Sequence, residues 1–471
     1  MRSVLASLRS RRPMATLRLV VGLWVVVGAI SCGDARPVSV AVTTGKEEGA
    51  LALDPAVAEV TIDVSAVDDS ITNSVTAKPG EEFDLGEMPD TTIVQFELTG
   101  ADADGNVIAR GRSTSVLIGG WEGTLPLFIQ RLGGFARPPG DLVRSHIHAP
   151  AGLLGEEFLV ATGGERAIGA NGDADPALGD FYDIELLSGA ESGGDTGSKL
   201  PRAARSLVVL GSEMLLIDDA GATFVELSTL EASEATAPDG LAFGDVSGGD
   251  AIFTDIDTTF VAGPTRPDVP TKALLHVDGD GNLGAATLAN ARAGAASAWV
   301  PGVGLVVAGG SASGAGIEVA DPSDLSVKSI PFPADAITGA AMVLTGEQQI
   351  AVLGGRDADG GAAPTRVFDL RCTGAADCVP KVLADVAVPD IAARAHAYAM
   401  TDAILVVGEN DDGETLAFRV SIADGTVTAL PLREPRRGAT SVAAQNGTLA
   451  IVGGEKLTGG AATSVELYFP E

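Results

Sequence analysis

The sequence predicts an all-β protein built largely from a repeated unit. Glycine occurs 60 times and proline 25 times in 471 residues, and short runs of Val, Leu, Ile and Ala lie between these turn-forming residues. Several of the apolar runs end in paired glycines at regular intervals from residue 159 onward. No long amphipathic helical pattern is seen. Together these observations indicate many short strands joined by tight turns.

The chain begins with a segment typical of an export leader. Five arginines lie in the first 18 residues, followed by the apolar run LVVGLWVVVGAIS over residues 19–31. This run has thirteen residues, whereas a helix that crosses a bilayer needs ~20. We therefore predict a removable signal peptide over residues 1–31.

The residues Ala29, Ile30 and Ser31 precede Cys32. This pattern resembles the bacterial lipoprotein signal, in which small or aliphatic residues precede an invariant cysteine. The resemblance implies diacylglyceryl and acyl groups on Cys32 as the first mature residue, with no other cofactor expected. It also implies a lipid-anchored protein of the bacterial envelope, and Gly33 favours the outer membrane, with the periplasmic or surface face left open. The alternative is an ordinary secretory signal with a chance cysteine.

The charge of the chain restricts its partners. The formal net charge is −32, and loss of the leader with its five arginines makes it about −37. Such a surface disfavours nucleic acid and direct adhesion to anionic headgroups. We expect membrane contact through the lipid alone, and an envelope protein or a glycan as the partner.

Two regions precede the repeats. Residues 32–49 are interpreted as an acylated tether. Over residues 50–132, segments such as VTIDVSAV (60–67) and TLPLFIQR (124–131) alternate apolar and polar residues between turns. This alternation predicts an antiparallel sheet, and the region resembles a small immunoglobulin-like or transthyretin-like β-sandwich that serves as a spacer.

The repeat occupies residues 133–471. LVATGG, LVVAGG, IAVLGG, ILVVGE and LAIVGG are five copies of one strand, and TFVAGP and EMLLID fill the remaining gap. The copies recur every 45 to 54 residues, which gives seven units. The framework glycines are Gly163, Gly164, Gly309, Gly310, Gly354, Gly355, Gly408, Gly453 and Gly454.

This period and the Gly-Gly ending resemble the kelch repeat of the galactose oxidase central-domain type. In that family each unit is a four-stranded blade of a β-propeller, so the resemblance implies a seven-bladed ring. Six blades are left open because the family's tyrosine and tryptophan after the double glycine are mostly missing. The last unit ends about one strand short. Residues 133–142, GGFARPPGDL, resemble the missing outer strand, which predicts closure by three C-terminal strands and one N-terminal strand.

Cys372 and Cys378 remain as one pair in a compartment that permits disulfides. Five residues separate them, so a disulfide would clamp a hairpin. A metal site would need further soft ligands, and the nearest histidine in sequence, His396, stands alone. We therefore predict a disulfide and no metal.

Two classes of function are compatible with these features. The first is a non-catalytic binding platform for a protein or glycan. The second is a carbohydrate-active or metal-dependent enzyme or binder that uses one mouth of the propeller. Its candidate residues are Arg144, His146, Arg292, Arg394, His396 and Arg437. Because an arginine tends to open each unit, we expect these side chains to be repeat framework, with no catalytic residue among them.

Acidic turns such as DADGN (102–106), DGDGN (278–282) and DADGG (357–361) resemble the start of a calcium loop. The glutamate required at position twelve is missing after Asp102 and Asp278. We interpret these segments as turns between strands.

Overall fold

The computed structural model describes residues 35–68, 70–121, 123–155, 158–191, 199–227, 229–444 and 446–470. The predicted signal peptide and the predicted lipid-attachment residue Cys32 lie outside these residues. The chain divides into two compact units. Unit 1 contains the described residues through Thr44 together with Glu48–Arg131, and unit 2 contains Gly45–Glu47 and the chain from Leu132 onward.

In its described residues, unit 1 contains ten strands and two short 3-10 helices. The strands are β1 Ala35–Pro37, β2 Ser39–Thr43, β3 Glu59–Ala66, β4 Thr72–Ala77, β5 Glu87–Pro89, β6 Ile93–Ala101, β7 Val107–Arg112, β8 Val116–Leu117, β9 Thr124–Phe128 and β10 Gln130–Arg131, and the helices are Ala50–Ala52 and Ile118–Gly120. Part of the expected tether is therefore strand, since β1 and β2 fall within residues 32–49.

The main sheet of unit 1 is antiparallel. Its strand order is β10-β7-β6-β3-β4, with β8 also paired to β6. Burial alternates strictly along β3, where Val60, Ile62 and Val64 point into the core and the residues between them point outward. Two smaller pairs complete the unit: β1 with β5, and β2 with β9, which run parallel. The parallel pair departs from the purely antiparallel expectation.

Unit 2 contains, in its described residues, seven four-stranded antiparallel sheets in chain order. We number them sheets 1 to 7. Sheet 1 is Ala151–Leu154, Phe158–Ala161, Asp180–Asp183 and Ser188–Glu191; sheet 2 is Ser206–Leu210, Glu213–Asp218, Gly221–Glu226 and Ala232–Glu234; sheet 3 is Asp250–Phe253, Thr259–Ala262, Thr271–Val277 and Leu283–Arg292; sheet 4 is Ala296–Val300, Gly304–Ala308, Ile317–Ala320 and Val327–Ile330. Sheet 5 is Ala341–Gly346, Gln349–Leu353, Pro364–Asp369 and Lys381–Ala387; sheet 6 is Ala403–Glu409 between Ala393–Ala399 and Thr415–Ser421, with Val427–Ala429 outermost; sheet 7 is Thr440–Ala443, Leu449–Val452, Glu466–Tyr468 and Phe135–Ala136.

Short elements connect these sheets. They are the strands Ser145–Ile147, Arg166–Gly169 and Gly172–Ala174, the pair Arg436–Arg437 and Glu455–Lys456, and the 3-10 helices Phe243–Asp245 and Gly263–Thr265.

The seven sheets form a ring of the β-propeller type. The first strand of each sheet contacts the first strand of the next from sheet 1 to sheet 6, and the first strands of sheets 7 and 1 also meet. The Tyr398 hydroxyl oxygen of sheet 6 lies 3.1 Å from the Ser441 carbonyl oxygen of sheet 7, which joins the remaining pair. Apolar cores lie between neighbouring sheets; Val306 and Val319 of sheet 4, for example, pack with Met342 and Val352 of sheet 5. Each sheet thus buries its faces against its neighbours.

Sheet 7 confirms the predicted closure. Its outer strand, Phe135–Ala136, comes from the N-terminal side of the ring and pairs antiparallel with the C-terminal strand Glu466–Tyr468. The Phe135 and Tyr468 rings lie 5.5 Å apart between their centroids, and both are buried. Joining the two ends of unit 2 in one sheet removes an open edge from the ring.

The paired glycines turn the chain after the second strand. In sheets 1, 4, 5 and 7 both glycines have positive φ, between 68° and 91°, which is the region that favours glycine. Gly408 of sheet 6 differs, because it lies inside a strand and Glu409 stands in place of the second glycine.

The predicted disulfide between Cys372 and Cys378 is present in the connection before the outer strand of sheet 5, with the two Cα atoms 5.3 Å apart. Within the described ranges, no helix has the length and apolar character needed to cross a membrane.

Candidate functional site

Three sheets contain a buried arginine–carboxylate pair. Arg144 binds Asp180 in sheet 1, Arg292 binds Glu318 in sheet 4, and Arg436 binds Glu466 in sheet 7, with N–O distances of 3.1, 2.8 and 2.8 Å. We call these the framework pairs.

The register explains why the framework pairs recur. In each of these sheets the acid lies on the third strand, opposite the residue two positions before the first paired glycine: Asp180 faces Ala161, Glu318 faces Val307 and Glu466 faces Ile451. The guanidinium also donates to that glycine in two sheets, from Arg292 to the Gly309 carbonyl oxygen and from Arg436 to the Gly453 carbonyl oxygen. These arginines hold the turns of the repeat.

The framework accounts for several predicted mouth residues. Arg144 and Arg292 are buried within it, and His146 joins them because its Nε2 lies 2.8 Å from Asp180 Oδ2 and its Nδ1 lies 3.0 Å from the Gly163 carbonyl oxygen. Arg437 does not take part: its neighbour Arg436 fills the framework position, and the Arg437 side chain is exposed. Arg144 and His146 thus share Asp180, whereas Arg292 belongs to a different framework pair and Arg437 lies outside the framework.

A different set of side chains meets at one mouth of the ring. It comprises His148, Glu165, Asp250, Arg394, His396 and Glu409, which we call the mouth cluster. These residues lie near the start of a first strand or at the end of a second strand. The start of a first strand and the end of the antiparallel second strand lie at the same end of a sheet. These residues of sheets 1, 3 and 6 therefore lie at the same mouth of the ring.

His148 bridges two carboxylates from different sheets. Its Nε2 lies 2.9 Å from Glu409 Oε1 of sheet 6, and its Nδ1 lies 2.9 Å from Glu165 Oε1, which follows the second strand of sheet 1. Burial disfavours the charged imidazole, but the hydrogen bond to Glu409 and the two negative charges outweigh it and raise the pKa of His148. Arg394 lies beside the same acids, with guanidinium nitrogens 3.4 Å from Glu165 and 3.8 Å from Glu409.

Asp250 and His396 meet across the ring, from sheets 3 and 6. The distance from Asp250 Oδ1 to His396 Nε2 is 3.4 Å, and their side chains are 41% and 34% exposed. Burial opposes charge on both groups, but their mutual attraction lowers the pKa of Asp250 and raises that of His396. The pair is therefore polarised, and solvent can reach it.

Two members of the mouth cluster occupy backbone positions that other sheets fill with glycine. The position lies three residues before the first-strand residue that pairs with the second-strand residue two positions before the first turn glycine. In sheets 3, 4, 5 and 7 it is occupied by glycines with φ between 60° and 82°, namely Gly248, Gly294, Gly339 and Gly438. His148 and Arg394 occupy the same position in sheets 1 and 6, with φ of 50° and 48°. A side chain in this region is unfavourable, and such strain is concentrated at functional sites.

Part of this cluster was predicted from the sequence. Arg394 and His396 were candidate mouth residues and, like the other candidates, were expected to be repeat framework, but both lie in the mouth cluster. His148 was not among the predicted candidates; the strand Ser145–Ile147 ends just before it, and His148 turns toward the mouth. Glu409 carried a signal that could have found it, since it interrupts the Gly-Gly pattern.

The acidic turns connect strands as predicted. Asp102 Oδ1 accepts the backbone N–H groups of Asp104 and Asn106, each over 2.9 Å, and Asp278 and Asp357 have the same arrangement. Among the residues that the structure describes, no group of three or more His, Cys, Asp or Glu side chains could hold a metal ion.

Comparisons with known proteins give little beyond this geometry. No protein-family model matches the chain, and no curated protein matches it. Among solved structures the chain is similar to one described as a streptogramin B lyase structure, with 11% sequence identity and a TM-score of 0.41, over 71% of this chain and 97% of that one.

Proposed function

We propose that the protein is a lipid-anchored lipoprotein of the bacterial envelope whose seven-bladed, kelch-like propeller binds a protein or glycan at the mouth cluster. The observation that carries the binding proposal is the placement of His148 and Arg394 at positions where four other sheets have glycine. A strained backbone persists when something else requires it, and both side chains reach the mouth.

The chemistry of the mouth cluster favours a polar ligand. Three carboxylates and three basic side chains lie together, so the site offers both donors and acceptors of hydrogen bonds. Arg394 is held only by long contacts to its acids and is 31% exposed, which leaves its guanidinium able to bind a ligand oxygen. Sugar hydroxyls or a polar protein loop suit such a surface.

The binding proposal is tested with the mature chain that starts after Cys32. The purified protein is screened on a glycan array and, in parallel, crosslinked to envelope proteins. We expect a defined partner whose binding is lost in Arg394→Gly and retained in Arg437→Ala, since Arg437 is an exposed arginine outside the mouth cluster. Equal binding by both variants would place the partner elsewhere on the surface and contradict the proposal.

The anchor requires a separate test. The lipobox-like residues before Cys32 support acylation, and the acidic surface disfavours other adhesion to anionic lipid. We expect the full chain to fractionate with the outer membrane and its Cys32→Ala variant to lose lipid labelling. Membrane association that survives this substitution, with no lipid on the wild-type N-terminal peptide, would refute the lipoprotein assignment.

A second candidate, an enzyme that uses the same mouth, is favoured by one observation: His396 Nε2 lies 3.4 Å from a carboxylate oxygen of Asp250, and its Nδ1 is hydrogen-bonded to the Ser441 hydroxyl.

A further inference from the structure

A chain of hydrogen bonds runs down from the mouth cluster into the first strands. His396 Nδ1 lies 3.3 Å from the Oγ of Ser441, in the first strand of sheet 7. The Tyr398 hydroxyl donates to the same Oγ over 2.9 Å. With the Asp250 contact at His396 Nε2, this places an acid, an imidazole and a serine hydroxyl in sequence.

The polarity of this chain is consistent along its length. Ionised Asp250 only accepts hydrogen bonds, so the proton of the neutral imidazole belongs on Nε2 and Nδ1 is left as an acceptor. The Ser441 hydroxyl then donates to Nδ1 while its oxygen accepts from Tyr398, whose pKa is raised by burial, so that the phenol stays protonated. A serine, an adjacent base and a third group that orients the base are the parts that nucleophilic catalysis requires.

The rest of the mouth supports the orientation of the imidazole. Thr265 Oγ1 accepts the backbone N–H of Asp250 over 2.9 Å, which holds the acid in place. The positive charge of Arg394 acts on both Asp250 and His396, so it lies close enough to favour negative charge that develops at the mouth.

From this geometry we propose that Ser441 is an activated nucleophile, with His396 as its base and Asp250 as the group that orients the base, and that the mouth hydrolyses small acyl esters. The proposal goes beyond binding, because it assigns a covalent step. Ser441 is only 8% exposed, lying below His396, which restricts the acyl group to a small one.

The step balances with water as the second reactant. Ser441 Oγ attacks the ester carbonyl carbon while its proton moves to His396 Nδ1. The tetrahedral intermediate expels the alcohol, which takes that proton, and leaves an acyl-serine. Water then attacks the acyl group with His396 again accepting a proton, and the acid leaves as Ser441 recovers its hydrogen.

The test uses the mature chain and a small alkyl fluorophosphonate, with peptide mapping by mass spectrometry. We expect one adduct, on Ser441, and loss of labelling in Ser441→Ala. His396→Gln should slow labelling by about 100-fold or more, the usual contribution of a general base. Ser311→Ala removes another buried hydroxyl, one that takes no part in these hydrogen bonds, and this variant should label like the wild type.

Two readouts separate catalysis from a structural role. The labelling rate should rise with pH as His396 loses its proton, with a midpoint above the ordinary 6.5, and 4-nitrophenyl acetate should give a burst of nitrophenol. Folded wild-type protein that takes no phosphonate, or a His396→Gln variant that labels at the wild-type rate, would overturn the proposal. Partner binding retained by the unreactive protein would leave the binding function intact.

Discussion

Sheets 4 and 6 have the same four-stranded plan but use it differently. In sheet 4 the third strand carries Glu318, which binds buried Arg292, and glycines occupy the turn positions. In sheet 6 the third-strand position opposite Val406 is Phe418, so there is no carboxylate for a framework pair. Arg394 and Glu409 stand at glycine positions and turn to the mouth cluster. In sheet 6, apolar packing thus takes the place of a framework pair, and two turn positions carry side chains that reach the mouth.

The largest expected effect lies in the framework. Glu318→Gln would leave the guanidinium of Arg292 buried without its counter-charge, which costs about 3 kcal/mol of unfolding free energy. Urea denaturation measures the change. As a control, Asp369→Asn removes an ion pair to exposed Arg371 and should change stability little. Equal effects of the two substitutions would contradict the distinction between framework and surface pairs.

The turn glycines provide the next test. Gly310 has φ of 68°, and a Cβ there would lie 2.6 Å from the Ala293 carbonyl oxygen, so we expect Gly310→Ala to cost about 2 kcal/mol. Gly408 of sheet 6 has an ordinary strand conformation, and its Cβ would meet no atom closer than 3.0 Å. Gly408→Ala should therefore destabilise the protein less than Gly310→Ala. Thermal melts of the two variants measure the effects, and the opposite order would refute this comparison.

Arg394→Gly should separate stability from binding. The substitution restores the residue that Gly294 supplies in sheet 4 and relieves a φ of 48°, while it breaks only long ion pairs. We expect the protein to gain about 1 kcal/mol of stability and to lose its partner. A loss of stability would show that Arg394 belongs to the framework, as the sequence predicts.

The repeat was predictable because its causes are local. Paired glycines at a fixed period mark where each second strand turns, and this pattern led to the all-β fold and to the closing strand at Phe135–Ala136. The mouth cluster was not predictable in the same way. His148 and Glu409 are 261 residues apart and meet only because the ring places sheets 1 and 6 near each other. The recurrence of an arginine in each unit also gave a wrong prediction for Arg394 and Arg437, because both lie close to, but not in, the framework positions.

The smallest expected effect is a pH dependence of stability that the mouth cluster should show and the framework pairs should not. The pKa of His148 is raised in the folded protein, so its charged form contributes stability below the ordinary value of 6.5, and this contribution is lost as pH rises through the folded pKa. His148→Gln should thus lower the unfolding free energy by about 1 kcal/mol near pH 6 and by less near pH 9.

The other charged groups around His148 are present in both proteins, namely Glu165, Glu409 and Arg394, so the difference between wild type and variant isolates the imidazole. Denaturation curves at the two pH values measure it. The framework variant Glu318→Gln serves as the comparison, because it leaves His148 unchanged and its deficit should be the same at both pH values. The loss of unfolding free energy in His148→Gln could instead be equal at both pH values, or larger near pH 9. Either result would mean that His148 acts by packing alone and that a charged imidazole gains no stability from the two carboxylates.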